Sequence, residues 1–229
     1  MIDVPYLRHP GDALAVVNPA RVSFDAESDY VCTDYKIGTY ELPEKDVKLI
    51  DYLARHKHKS PFNHAFISVR VTAPIFIARQ RVKHEYLPWN EVSRRYVEGD
   101  LEWYLQLDDT EWRSQPDNVK QGSGGVITDP QVRHDISAGY QELIRIAENL
   151  YFNSIDLGLC REQARMFLPQ SLMTTWIWSG SVYAFAKMCQ LRLDGHAQRE
   201  ASYVAQPILN NLNALFPVST EALMKHGNF

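Results

Sequence analysis

Residues 65–83, AFISVRVTAPIFIARQRVK, decide the reading of the fold. Ile67, Val69 and Val71 alternate with Phe66, Ser68 and Arg70, which is the period-2 pattern of a strand with one buried face. Pro74 suits a first helical position, because a helix start leaves its N–H groups unpaired and proline has none. A short helix is therefore expected over 74–83. Upstream, Val47, Ile50 and Leu53 share a helix face within 44–57. Downstream, β-favouring residues return around Tyr96–Leu105. Residues 108–130, DDTEWRSQPDNVKQGSGGVITDP, read as a long surface loop, an insertion in one domain, because polar motifs lie on both sides of it. Beyond it Ile136, Tyr140, Leu143, Ile144, Ala147, Leu150 and Tyr151 follow a 3.6 period. Ala197, Ala201, Val204, Ala205, Ile208, Leu212 and Leu215 do so again. The expected class is α+β: an antiparallel or mixed sheet packed by segregated helices, in one domain over 1–229.

Composition narrows the function. A 45% hydrophobic content with 5 Trp, 12 Tyr and 9 Phe excludes intrinsic disorder. A net charge of −4 does not suit a general nucleic-acid coat, so no nucleic-acid partner is expected, while a local arginine cluster can still hold a small anion. Cys32, Cys160 and Cys189 have no paired spacing, which argues against a disulfide framework and a zinc pattern. Cys160 and Cys189 read as core thiols. No run of 18 apolar residues is present, so no membrane partner is expected, and the cytoplasm is the expected compartment. Neither a GxGxxG after a strand, nor a P-loop, nor a GxSxG elbow appears.

Four polar stretches stand out. Residues 79–96, RQRVKHEYLPWNEVSRRY, are either an exposed helix end or a site. REQAR at 161–165 is either an i,i+4 charge ladder or a guanidinium pair aimed at phosphate. In LRLDGHAQ at 191–198, His196 is a cap or a ligand contact, and Arg192 ends a helix that reads as largely buried, so it demands a partner. HKSPFNH at 58–64 carries two His without a nearby Cys or carboxylate, and no metal is assigned.

In this order HKSPFNH, APIFIARQ, NEVSRRY, REQAR followed by LP, and LRLDGHAQ resemble the flavin-dependent thymidylate synthases from ARVSFD at 20–25 almost to the end of the chain. The family's Arg-His-Arg, seven residues, then Ser falls on Lys83-His84-Glu85 and Ser93, so both flanking arginines are replaced. Ser181, Tyr183 and Lys187 stand where Asn and Arg are expected in a flavin-facing segment. The resemblance implies the family fold, assembled as a homotetramer with shared active sites. It implies FAD as cofactor, with NADPH and methylenetetrahydrofolate as co-substrates, and conversion of dUMP to dTMP by this methyltransferase. It maps the nucleotide pocket onto Gln80, Glu91, Ser93, Arg94, Arg95, Arg165 and Arg192, with Arg192 and Ser93 nearest the chemistry. It maps the flavin pocket onto Ser23, His58, Ser60, Asn63, Lys83, His84, Glu85 and His196. The departures at Lys83, Glu85 and Ser181 leave open C5 methylation of UMP, hydroxymethylation of dUMP, or a nucleotide or RNA binder without flavin chemistry.

Overall fold

The computed structural model describes residues 1–104, 112–116 and 122–227. Its centre is a pair of nine-residue strands, β4 (Phe66–Pro74) and β6 (Met173–Ser181), antiparallel in unbroken register from Phe66↔Ser181 to Pro74↔Met173. With β1 (Tyr6–Arg8) and β5 (Trp89–Glu91) they form a four-stranded antiparallel sheet in the order β1-β4-β6-β5. A separate hairpin joins β2 (Val31–Asp34) to β3 (Thr39–Glu41).

The alternation in β4 works as its sequence requires. Ile67, Val69 and Val71 are fully buried, and opposite them lie Gly180, Trp178 and Trp176 of β6. The other face is hydroxylic: Ser68 meets Ser179 at 2.8 Å, and Thr72 meets Thr175 at 2.9 Å. These cross-strand pairs tie the register on both faces. The apolar face packs in one core with α1 (Leu14–Arg21), α2 (Glu44–Arg55), α7 (Val182–Leu193), α8 (Arg199–Leu215) and α9 (Pro217–His226). The chain also contains α3 (Lys59–Phe62), α4 (Ile75–Arg81), α5 (Pro130–Asp156) and α6 (Arg161–Ala164).

Several expectations shift. Pro74 caps α4 rather than beginning it. Between Tyr96 and Tyr104 no named strand forms. Arg94 instead folds onto the carbonyls of Gly99 and Asp100 at 3.5 and 3.0 Å, and Gly99, at φ +118°, turns the chain. Trp103 makes only an isolated bridge to Leu172, and Leu105 lies outside the described residues. The segment after the loop is not only helical, because β6 runs through it. That strand is buried or half-buried along its whole length and so shows no polar alternation. Of the 108–130 loop, 108–111 and 117–121 are outside the described residues. The rest pairs across itself, Ser114 N–H to Gly125 O at 2.9 Å and Ile127 N–H to Trp112 O at 2.8 Å. Cys160 is exposed at the α6 N-cap, whereas Cys189 is buried.

Candidate active site

The strands deliver the predicted residues to three clefts. The first, about 820 Å³, is lined by Glu91, Ser93, Arg94 and Arg165, with Thr72, Gln170 and Thr174 behind them. Glu91 ends β5 and is held by the Thr174 hydroxyl at 2.8 Å and Trp89 Nε1 at 3.2 Å. The REQAR charges do not form a ladder along their own helix. Arg161 pairs with Glu98 at 2.5 Å, and Glu162 with Arg95 at 3.6 Å. These pairs clamp α6 to the 93–98 turn and leave Arg165 facing the cleft. Its Nε donates to Glu162 O at 3.3 Å, so the terminal nitrogens can meet an anion's oxygens. Arg95 does not line this cleft. Its guanidinium sits over Tyr96, 4.9 Å from the ring centre, and beside Glu162. Ser93 Oγ accepts from Arg95 Nε at 3.3 Å, and among the described residues no base bonds it that would make it a nucleophile.

The second cleft, about 1020 Å³, is lined by Gln80, Arg192, Asp194, His196 and Gln198, with Arg113 of the loop closing one side. It shares no lining residue with the first. Gln80 Nε2 donates to Gln198 Oε1 at 2.5 Å. His196 is 81% exposed and meets Asp194 at 3.0 Å. The Arg113 guanidinium is anchored on buried Glu200 at 2.5 Å, which fixes the loop wall to the start of α8.

Arg192 belongs to both the second cleft and a third of about 610 Å³, lined by Lys59, Asn63, Lys83, His84, Glu85, Tyr183 and Lys187. The 84–88 segment reaches this place by crossing β6 at Gly180, where a Cβ would stand 2.2 Å from Leu87 and 3.3 Å from Tyr86 O. Arg192 Nε donates to His84 Nε2 at 3.1 Å, and its Nη2 to Gln80 O at 3.4 Å. Burial foremost, then the charges of Arg192, Arg81 and Lys187, pull His84 down to about 4. His84 is therefore neutral and can accept that bond. Asn63 is held by the Ser181 hydroxyl at 2.6 Å, which also caps α7. Ser181 thus supports the cleft from behind, while Tyr183 and Lys187 line it.

The fully buried cation is not Arg192, which is half-buried, but Arg81, which no sequence pattern marks as a buried group. Arg81 donates to Ala201 O and, at 3.3 Å, to Met188 Sδ, while its Nε finds no partner. Burial pulls its guanidinium down to about 9. Four expected flavin residues stand outside the third cleft, and one of them, His196, lines the second. His58 lines a neighbouring 180 Å³ cavity with Lys59 and Tyr183, and Ser23 and Ser60 are exposed.

Lys59, Lys83, Lys187 and Arg192 around Glu85 make a cationic surplus that fits the diphosphate of a flavin dinucleotide, with Tyr183 at the wall. The first cleft offers a second anion site. Together they define an α+β protein with cation-bearing clefts at the ends of its sheet and helices, of the kind that suits anionic nucleotides. The chain belongs to the thymidylate synthase complementing protein family, whose sequence profile matches residues 6–218. It is 34% identical over 216 residues to a flavin-dependent thymidylate synthase of Thermus thermophilus, covering 94% of this chain and 73% of that one. It is 31% identical over 214 residues to that of Kosmotoga olearia, covering 93% and 86%. Among solved structures, the UMP/dUMP methylase PolB from Streptomyces cacaoi, bound with 5-Br dUMP or 5-Br UMP, matches with a TM-score of 0.81 and 29% identity, over 99% of this chain and 96% of that one.

Proposed function

We propose that this protein transfers a one-carbon unit from methylenetetrahydrofolate to C5 of dUMP, giving dTMP, with FAD as redox cofactor and NADPH as reductant, in the cytoplasm. The observation that carries the reading is Arg192, shared by the second and third clefts and oriented by neutral His84. When bound, the reduced flavin supplies hydride, so the chain itself has to bind, orient and stabilise charge. Arg165 and Arg94 hold the nucleotide phosphate. Arg192 donates to the uracil ring, where it stabilises negative charge as C5 becomes nucleophilic. No thiol is needed to attack the ring: Cys189 is buried and pushed up to about 12, and Cys32 and Cys160 line neither arginine cleft. Ser93 binds substrate rather than attacking it.

Arg165 and Arg192 line different clefts of one chain, so one nucleotide touching both is held by two copies, in keeping with a homotetramer. The test is a flavin absorption spectrum of the purified protein, then tritium release from C5-labelled dUMP with folate and NADPH. A colourless protein that does not take up FAD refutes the reading. The PolB likeness, with both 5-Br UMP and 5-Br dUMP bound there, favours a second reading in which UMP is also methylated. Mass spectrometry of products from UMP and dUMP separates the two.

A further inference from the structure

Thr174 puts a hydroxyl on the apolar side of the sheet. It shares a face of β6 with Trp176 and Trp178, lies opposite Ala73 of β4 and is 9% exposed. Valine has the same shape and suits such a position better, because a buried hydroxyl costs free energy unless it is bonded. Here the hydroxyl donates to Glu91 Oε1 at 2.8 Å. The other carboxylate oxygen, Oε2, accepts from Trp89 Nε1 at 3.2 Å. That indole is itself fixed: it stacks on Trp176 with ring centres 4.2 Å apart at 20°, and it meets Trp178 edge-on at 5.8 Å. The backbone is held as well. Glu91 pairs with Trp176 across the strands, and the next N–H, of Val92, donates to Thr175 O at 2.9 Å. An exposed carboxylate at the end of a three-residue edge strand is thus gripped on both oxygens.

This carboxylate stands among cations. Arg94 and Arg165 line the same cleft, and a free carboxylate there would pair with them and compete with an anionic ligand. Both hydrogen bonds to Glu91 come instead from neutral donors, and among the described residues it makes no ion pair with either arginine. We propose that Thr174, together with Trp89, is a positioning residue that holds Glu91 away from Arg94 and Arg165 and turned to accept a sugar hydroxyl of the nucleotide whose phosphate these arginines bind. Each carboxylate oxygen has a second acceptor position, so one on each remains for the ligand. The sugar hydroxyls are the donors of a nucleoside monophosphate that lie closest to its phosphate. The proposal rests on the reading of the first cleft as the phosphate site, and it adds two residues outside the motifs that carry the family resemblance.

The test is titration calorimetry of dUMP into the full chain with FAD present. Thr174→Val should raise Kd about 10-fold, as expected when a hydrogen bond to a charged group is no longer held in place, and Thr174→Ser should restore it. In a Glu91→Ala background Thr174→Val should change Kd by less than about two-fold, because it acts through Glu91. The dideoxy analogue of dUMP, which has no free sugar hydroxyl, should bind the unaltered chain and Thr174→Val alike. An unchanged Kd in Thr174→Val overturns the proposal. So does a loss that adds to that of Glu91→Ala, or an equal loss with the dideoxy analogue. Trp89→Phe keeps the stacked ring and drops only the donor, so it carries the same expectations if Thr174→Val does not fold. If Arg165→Gln weakens dUMP while both clamp variants bind it normally, the clamp is wrong and the phosphate site stands. If Arg165→Gln also binds normally, or the unaltered chain does not bind dUMP, both fall.

Discussion

Replacing Arg81 by methionine should make the protein more stable. The guanidinium is fully buried, its Nε has no partner, and no carboxylate pairs with it among the described residues. Its descent to about 9 from the ordinary arginine range, at 1.36 kcal/mol per tenfold change in acidity, corresponds to roughly 5 kcal/mol held against the charged form. The substitution gives back part of that. It loses the bond to Ala201 O and the contact with Met188, each about 1 kcal/mol. The long thioether fills most of the volume, as replacements of buried ions by apolar residues show, with gains of about 1–4 kcal/mol. A net gain of about 2 kcal/mol in a chain of this size raises Tm by roughly 4–8 °C. Differential scanning calorimetry at pH 7 and equal protein concentration measures it, since an assembly makes Tm concentration-dependent. A Tm lowered by several degrees would mean that Arg81 is well partnered and that its burial carries no net cost. The sign with pH follows. The folded value lies below the unfolded one, so the folded chain binds fewer protons, and stability rises as pH climbs from about 9 towards the ordinary arginine range. Arg81→Met should flatten that rise.

His84 is also held below its ordinary value, to about 4, so its contribution is full above about 6.5 and is lost as pH falls towards 4. Thermal melts of His84→Gln should show a shallower acid limb than the unaltered chain. Arg192→Lys keeps the charge but loses the fork that bonds His84 and Gln80, and kcat for dUMP should fall about 100-fold in steady-state assays. Arg165→Gln should instead raise KM for dUMP by roughly 10–100-fold with a smaller change in kcat, since a phosphate contact is made in ground and transition states alike. Glu200→Gln breaks a buried pair with Arg113 and should cost about 3 kcal/mol, with faster amide exchange across 112–116 and 122–127 than elsewhere.

What could be read from the sequence was local. The alternation of β4, the periods of α2 and α8, and the arginine motifs each depend on residues a few positions apart. The strand that completes the centre, β6, could not be read in the same way, because burial along its whole length erases the polar phase that marks a strand edge-on. The 3.6 pattern of α5 merged two stripes. Tyr140, Ile144, Ala147 and Tyr151 lie toward the protein, while Ile136, Leu143 and Leu150 lie away from it, and only tertiary packing separates them. A similar limit applies to charge. A helix that looks buried pointed to Arg192, but the residue taken out of water is Arg81, at the end of α4, because α8 covers it. Arg95 looked equivalent to Arg165 until the distant Glu162 took it. The departures at Lys83 and Glu85 fall in the same cleft as Lys59 and Lys187, so loss of the guanidinium forks there leaves the cleft cationic.

The ends of α4 and α7 come together at Arg81, His84 and Arg192, where Arg192 bonds the last-turn carbonyl of Gln80. Both are C-terminal ends, so each presents about half a negative charge made of backbone carbonyls. The cations here are thus balanced in part by peptide dipoles, a counter-ion that cannot be protonated and cannot swing away. A pocket balanced by carboxylates changes its potential as they titrate and must break an ion pair before an anion enters. Here the backbone share of the balance is the same in acid and in alkali, and among the described residues no aspartate or glutamate pairs with Arg192 that an incoming phosphate or uracil oxygen would have to displace.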